Sequence, residues 1–482
     1  MAEEPLIEHQ RDLQEMLNQI QFLMERQKLV SQLLKKQKGS NELLQTLLEK
    51  QQNTELQQYL RRLHPADIAY VLESLPMAKR EEVWRSVDKN SYGEILLELS
   101  DAVRERIIPF IQNDDIAQIA RKLDSDEIAD LFPDLPSDIA NDLMDSLQQE
   151  ERQQVHSALS FPDGSVGALM DFEMITVKED NSLGDVIDIL RKRGEMPSQS
   201  NMLFVVGVNK ELIGGLEINE LLINDSKLLV CDVISQGIPT FHTNDEAKEA
   251  AQAFERYDLI SAPVINAHNH LVGCLHIDAV VDFINESSQR EILSKSGLSE
   301  EEDLFAPVLQ SGKNRWPWLG LNLVTAFIAS RVIGIFEETI VHIVALATLM
   351  PIVASVGGNT GNQTIALIIR GLALNQISSA NFYRLLFKEL RISILNGVIW
   401  GAVVGVFAFV FYQQWQLALV MFAAMVINLI IASLAGVFIP LILKGMGRDP
   451  VMGGSVILTA ITDSMGFFIF LGLASLFLVN KI

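Results

Sequence analysis

Met350-Pro351-Ile352-Val353-Ala354-Ser355-Val356-Gly357-Gly358-Asn359-Thr360-Gly361-Asn362-Gln363-Thr364 stands between two strongly apolar stretches. Lipid-facing backbone must bond to itself, so a Pro/Gly/Asn interruption at membrane depth belongs against protein or a water-filled cavity. The run is therefore expected to break a membrane helix. A second interruption follows at Asp449-Pro450-Val451-Met452-Gly453-Gly454, and just beyond it Asp463 lies inside an otherwise apolar span. Broken helices beside an intramembrane carboxylate point to a path for a cation.

Working outward, five segments are long enough to span, at about 20 residues each. They are Trp318–Phe336, Ile340–Val356 with its continuation to Leu374, Ile392–Tyr412, Leu417–Leu443 and Val456–Val479. Arg370, Arg384, Lys388 and Arg391 follow the second, and Lys444 and Arg448 follow the fourth. Glu337 and Glu338 follow the first, and the third is followed by the uncharged Gln413-Gln414-Trp415-Gln416. By the positive-inside pattern the basic loops are cytoplasmic, which puts residues 1–314 inside and Ile482 outside. A carboxylate at mid-membrane costs about 2.5 to 3.5 kcal/mol on insertion scales, so Asp463 is expected to face a pore, a partner or a metal.

The net charge of −23 divides unevenly. Residues 315–482 hold 9 Lys/Arg and 5 Asp/Glu, a net of +4. Residues 1–314 hold 29 basic and 56 acidic residues, a net of −27. Such a surface repels nucleic acid and suits small cations. Cys231 and Cys274 make no disulfide framework and fit a reducing compartment. Cys/His metal-ligand spacing is absent by this reading, as are a phosphate loop with its lysine and a nucleophile elbow. No catalytic constellation supports an enzyme.

Residues 1–50 read as a helical extension, with Leu6, Leu13, Leu17, Ile20 and Leu23 at helical spacing and no identifiable partner. Residues 51–162 repeat a short helical unit: His64-Pro65-Ala66-Asp67-Ile68-Ala69 is echoed by Asn113-Asp114-Asp115-Ile116-Ala117 and by Asp124-Ser125-Asp126-Glu127-Ile128-Ala129. Stacked, such units give an α-helical superhelix. From about residue 163 the pattern becomes strand, turn, strand, helix, twice. Leu203–Val208, Leu212–Leu216 and Ile218–Leu222 form one copy, and Ala262–Asn266, Leu271–Leu275 and Ile277–Ile284 the other. The fold class is thus multidomain: helical superhelix, duplicated α/β module, and a polytopic membrane domain of five helices.

The chain resembles the MgtE-type magnesium transporter and channel family. The carrying residues are Gly357-Gly358-Asn359-Thr360-Gly361-Asn362-Gln363-Thr364, Asp449-Pro450 and Thr462-Asp463-Ser464-Met465-Gly466-Phe467, supported by Leu123–Glu127, Gly167–Met170 and Arg315–Leu319. The resemblance implies a helical N domain at 51–162, a tandem CBS pair at 163–286, a connecting helix at 287–314 and a transmembrane pore domain at 315–482. It further implies a homodimer in a bacterial inner membrane that takes up Mg²⁺. The family's pore carboxylate falls on Asp463, with the carbonyls of Thr459 and Ala460 as second contacts. Gly357, Gly358, Asn359 and Gln363 would let the second helix bend or approach the pore. Regulatory Mg²⁺ would bind among Asp126, Glu127, Asp278, Asp282, Glu286 and Glu291. Arg290 thins that acid set, which implies a weaker Mg²⁺ response.

CBS pairs often hold adenine nucleotides through a Thr/Ser with an Asp three residues on. Glu217 with Glu220, and His276 with Ala279, stand there instead, so nucleotide binding is not expected. The alternatives are transport of Co²⁺ or Mn²⁺, whose oxygen ligands overlap with those of Mg²⁺, and a membrane-anchored ion sensor without transport. A pure anchor would need neither Asp463 nor interrupted helices.

Overall fold

The computed structural model describes residues 13–26, 28–29, 54–120, 122–194, 196, 200–298, 303–374, 376–378, 380–448, 450–451 and 453–478. The chain forms two compact units, Met1–Ser288 with Asp303–Ala306, and Gln289–Glu302 with Pro307–Ile482.

The first unit opens with short helices. Pro65–Glu73, Met77–Trp84, Tyr92–Leu97 and Asp101–Ile107 are followed by Asn113–Ala120, Ser125–Leu131, Ser137–Ser146 and Gln149–Ser160. Their starts follow the chemistry of free helix N–H groups. Pro65 occupies the first turn, and His64 Nδ1 accepts the Ala66 N–H at 3.3 Å. Asp124 and Glu127 form a capping box. Leu72, Leu75, Trp84, Ile95 and Ile107 build the shared core, where Trp84 stacks on Tyr92 at a centroid distance of 4.5 Å. Residues 13–26 are helical, and Ile20 and Met24 are buried in this same core. That part of the extension therefore packs on its own chain; residues 1–12 and 30–50 lie outside the described residues.

Two small sheets follow, each with its three strands in sequence order. The first comprises β1 (Thr176–Lys178), β2 (Met202–Val206) and β3 (Leu212–Glu217). The second comprises β4 (Phe241–His242), β5 (Ser261–Ile265) and β6 (Leu271–His276). In both, the first strand runs parallel and the third antiparallel to the middle one, with a register shift near the end of the middle strand. The two hairpin turns place Lys210 and Asn269 in the left-handed region, at φ 63° and 64°. The turns meet edge to edge: Leu212 N–H donates to Asn269 O (3.3 Å) and Leu271 N–H to Lys210 O (3.0 Å). The duplication read from the sequence is thus built as two modules joined about a local two-fold.

Within the first unit, Asp303 reaches back to the short-helix domain. Arg80 Nη1 and Nη2 grip its carboxylate at 2.6 and 2.9 Å, and Arg106 Nη1 adds a bond of 2.8 Å. Arg80 is fully buried and also donates through Nε to Leu72 O at 2.7 Å. Burial alone would push the Asp303 carboxyl up, but Arg80, the Phe305 N–H and Arg106 outweigh it and hold the group below its ordinary value.

In the second unit, four helices are long and apolar enough to cross a membrane among the described residues: Val308–Ile335, Phe382–Tyr412, Trp415–Gly445 and Gly454–Phe477. A fifth long helix, Ala345–Ala373, carries the glycine run. The expected break is not there. Ala345–Ala373 is continuous through Pro351, Gly357, Gly358 and Gly361. The glycines serve close packing instead of a bend. A Cβ at Gly361 would come within 2.7 Å of Leu458, and one at Gly357 would collide with the Asn428 amide. Without water between them, membrane helices associate through such small residues. Gly397, Gly401 and Gly405 form a matching stripe at four-residue spacing where Phe382–Tyr412 packs on Val426, Phe422 and Ala418. The second interruption is the connection between Trp415–Gly445 and Gly454–Phe477; Asp449 and Met452 lie outside the described residues.

Candidate cation sites

In the membrane unit, Asp463 lies near the middle of Gly454–Phe477 and is half-buried. Among the described residues no Lys or Arg is paired with it. Thr462 beside it is fully buried, with its hydroxyl donating to Thr459 O at 3.2 Å. Thr459 is exposed and Ala460 half-buried, both within regular helix. Gly358 approaches this turn: a Cβ there would stand 3.8 Å from Thr462 Oγ1. On the glycine-run helix, Ser355, Asn359, Asn362 and Gln363 are exposed. Their spacing puts them on one face. The expected helix-run residues thus divide in two: Gly357 and Gly361 face the neighbouring helices, and Asn359 and Gln363 lie on the polar stripe.

Two buried polar residues in this unit carry no signal in a hydropathy reading. Asn428 is fully buried, donates through Nδ2 to Val353 O at 2.8 Å, and leaves Oδ1 without a hydrogen-bond partner. Glu389 is buried, with Lys388 Nζ 3.8 Å from Oε1. Standing among Arg384, Lys388 and Arg391 in the sequence, it has nothing local to mark it as buried.

In the first unit, the expected acids differ in what they can offer. Asp126 Oδ1 is buried and has no hydrogen-bond partner. Burial, then Asp171, pushes its carboxyl up to about 8. Glu127 gives one oxygen to its capping box, accepting the Asp124 N–H at 2.9 Å; burial raises its carboxyl too. Asp278 is exposed and accepts the Ala279 N–H at 2.9 Å. Burial and the charge of Asp278 push Asp282 up. Glu286 and Glu291 are exposed on the helix Ile277–Lys295. Burial, then the charges of Asp171, Asp126 and Asp278, push the Cys274 thiol up.

Cys274 belongs to a group that its local sequence does not announce. Asp171, Cys274 and His276 bring one donor atom each within 4.8 Å of the others. Cys/His ligand spacing, expected to be absent, is therefore present in one place among the described residues. Cys274-x-His276 looks unlike a zinc motif on a helix or knuckle, but two residues apart on a strand means the same face. The third donor comes from 103 positions earlier, across a β-bridge between Asp171 and Cys274, and no local pattern announces it. At the nucleotide positions, Glu217 is exposed at a helix start, while His276 is turned toward Cys274 and Asp171.

Comparison with known proteins agrees with this layout. Residues 63–164 match the MgtE intracellular N domain, residues 166–223 and 230–286 match the CBS domain, and residues 350–473 match MgtE, described as a divalent cation transporter. The magnesium transporter MgtE of Bacillus subtilis (strain 168) is 26% identical over 416 residues, covering 86% of this chain and 92% of that protein. The magnesium transporter MgtE of Thermus thermophilus is 25% identical over 443 residues, covering 90% and 98%. A crystal structure of the cytosolic domain of the Mg²⁺ channel MgtE in complex with ATP covers 50% of this chain and 98% of its own, at 23% identity and a TM-score of 0.45. With its apolar helices the protein is integral to a membrane. Three family models matched in one chain order place it plainly: the chain belongs to the MgtE family.

Proposed function

We propose that this protein conducts Mg²⁺ through a homodimeric pore in which Asp463 of each protomer faces the ion. The observation that carries this is Asp463 itself, a half-buried acid in a membrane helix, with no Lys or Arg paired to it among the described residues. The polar stripe of Ser355, Asn359, Asn362 and Gln363 supports it, because such a face needs water or protein against it and not lipid. A two-fold dimer would set two carboxylates opposite each other. Mg²⁺ sheds water reluctantly, so a hydrated ion between carboxylates and the carbonyls of Thr459 and Ala460 suits its chemistry. In this reading Ala345–Ala373 is the second of five spans, residues 1–314 are cytoplasmic and Ile482 is outside.

Regulation by cytosolic Mg²⁺ belongs to the same reading. Asp126 fits a cation best, since its buried Oδ1 lacks a partner. Asp171 and Asp124 add charge to Asp126, and Glu127 contributes one oxygen beyond its cap; Asp278 and Asp282 would join them in this reading. The exposed Glu286 and Glu291 sit in the acid set that Arg290 thins. Nucleotide is not part of this regulation: Glu217 repels phosphate and His276 is turned toward Cys274 and Asp171.

The deciding experiment is Mg²⁺ flux into liposomes. Asp463→Ala should abolish or sharply reduce it while the dimer stays folded. Wild-type flux in that variant would remove Asp463 from the pore. Equal Co²⁺ and Mg²⁺ flux would make the protein a general divalent transporter.

A further inference from the structure

We propose that Asp171, Cys274 and His276 form a binding site for a thiophilic divalent transition metal of the zinc class, separate from the transported ion. Strand alternation puts Cys274 and His276 on one face of β6. The backbone fixes Asp171 beside them, its N–H donating to Cys274 O at 2.8 Å and accepting through its carbonyl the Cys274 N–H at 2.9 Å. His276 Nε2 lies 3.0 Å from Cys274 Sγ and 3.5 Å from Asp171 Oδ2. Zinc–ligand bonds of about 2.0 to 2.3 Å at tetrahedral angles require donor separations of about 3.3 to 3.6 Å. The His276–Asp171 separation matches that range, the His276–Cys274 separation is about half an ångström short of the value for a nitrogen–sulfur pair, and all three donors lie within 4.8 Å of one another.

The donor set decides which metal. Thiolate and imidazole suit zinc and its neighbours, whereas Mg²⁺ takes oxygen ligands in an octahedron. The surroundings add a demand for positive charge. Cys274 and His276 are buried, at 1% and 7% exposure. Asp126 acts electrostatically on both Asp171 and Cys274 and keeps an unpartnered buried oxygen. On binding, the metal–sulfur bond replaces the Cys274 S–H bond and that proton leaves to solvent. His276 coordinates through the Nε2 lone pair with its proton on Nδ1, and Asp171 binds as the carboxylate. A water completes the fourth position. Occupancy would lock the bridge between Asp171 and β6.

The test uses full-length protein in detergent, reduced and stripped of metal, with Co²⁺ as the spectroscopic probe. One Co²⁺ per protomer should give a thiolate-to-cobalt charge-transfer band. Stoichiometric Zn²⁺ should bleach it and a large excess of Mg²⁺ should not. Cys274→Ala should lose the band, Cys231→Ala should keep it, and His276→Gln should weaken binding by about tenfold or more, at least the loss seen when an outer-shell partner is removed. If Cys274→Ala does not fold, alkylation of the wild type decides: Zn²⁺ should protect Cys274 and leave Cys231 reactive. No charge-transfer band in the wild type, a band that survives Cys274→Ala, or equal labelling of Cys274 with and without Zn²⁺ would each overturn the site. None of these readouts depends on Mg²⁺ flux, so failure here leaves the pore reading standing.

Discussion

Asn428 fills the space that a side chain on Gly357 would need, and from there it donates to Val353 O at 2.8 Å. A Cβ on Gly466 would also crowd the same amide, at 3.1 Å. One buried amide thus joins the glycine-run helix, its own helix Trp415–Gly445 and the Asp463 helix Gly454–Phe477.

Gly357→Ala should destabilise the membrane unit by about 1 to 3 kcal/mol, the cost of overpacking. Asn428→Ala on its own removes a buried hydrogen bond and costs about 1 kcal/mol. The double variant should recover part of the Gly357→Ala loss, because the collision is gone. Thermal unfolding in detergent measures this; strictly additive losses would show that the two residues do not share one volume.

Arg80 and Asp303 are a buried, bidentate pair. Asp303→Ala leaves Arg80 buried and uncompensated, and should cost about 3 to 5 kcal/mol. The pH dependence follows from the carboxyl being held below its ordinary value. Its stabilisation is complete above the unfolded value of about 3.9 and fades as pH falls through the folded value. Wild-type protein should therefore show a loss of stability in acid that Asp303→Asn has already suffered at neutral pH. Parallel melting curves of the two proteins across the acid range would contradict the pair's contribution.

Asp126→Asn should reduce the rise in thermal midpoint that Mg²⁺ gives the wild type. At a ligand concentration about 100 times Kd, binding to the folded state alone adds about 2.7 kcal/mol. Glu286→Gln, at an exposed position, should change this response less. Equal Mg²⁺ shifts in wild type and Asp126→Asn would take Asp126 out of the regulatory set.

Millimolar ATP should not raise the thermal midpoint of the metal-free protein. Glu217 opposes phosphate and no hydroxyl stands at either expected position. A saturable shift, interpreted by the same mass-action relation, would restore nucleotide as an effector.

Local chemistry decided much in the sequence alone. The short helices of residues 51–162 are legible because Pro65, Asp124 and their apolar neighbours signal starts and faces within a few positions. The hairpins β2–β3 and β5–β6 are legible because alternation and turn residues are adjacent in the chain. Asp463 stands out because an acid in an apolar span is costly wherever the helix packs. What tertiary structure decided involves partners that are remote in sequence. The glycine run reads as a break until Asn428 and Leu458 are seen to occupy the space its missing side chains leave. Asp303 looks like one of many surface acids until Arg80 and Arg106 close on it. Cys274 and His276 become a candidate metal site only when a β-bridge brings Asp171 alongside. In each case composition and periodicity report a residue's own preference, whereas a site requires several side chains to converge, and only the folded chain sets those distances.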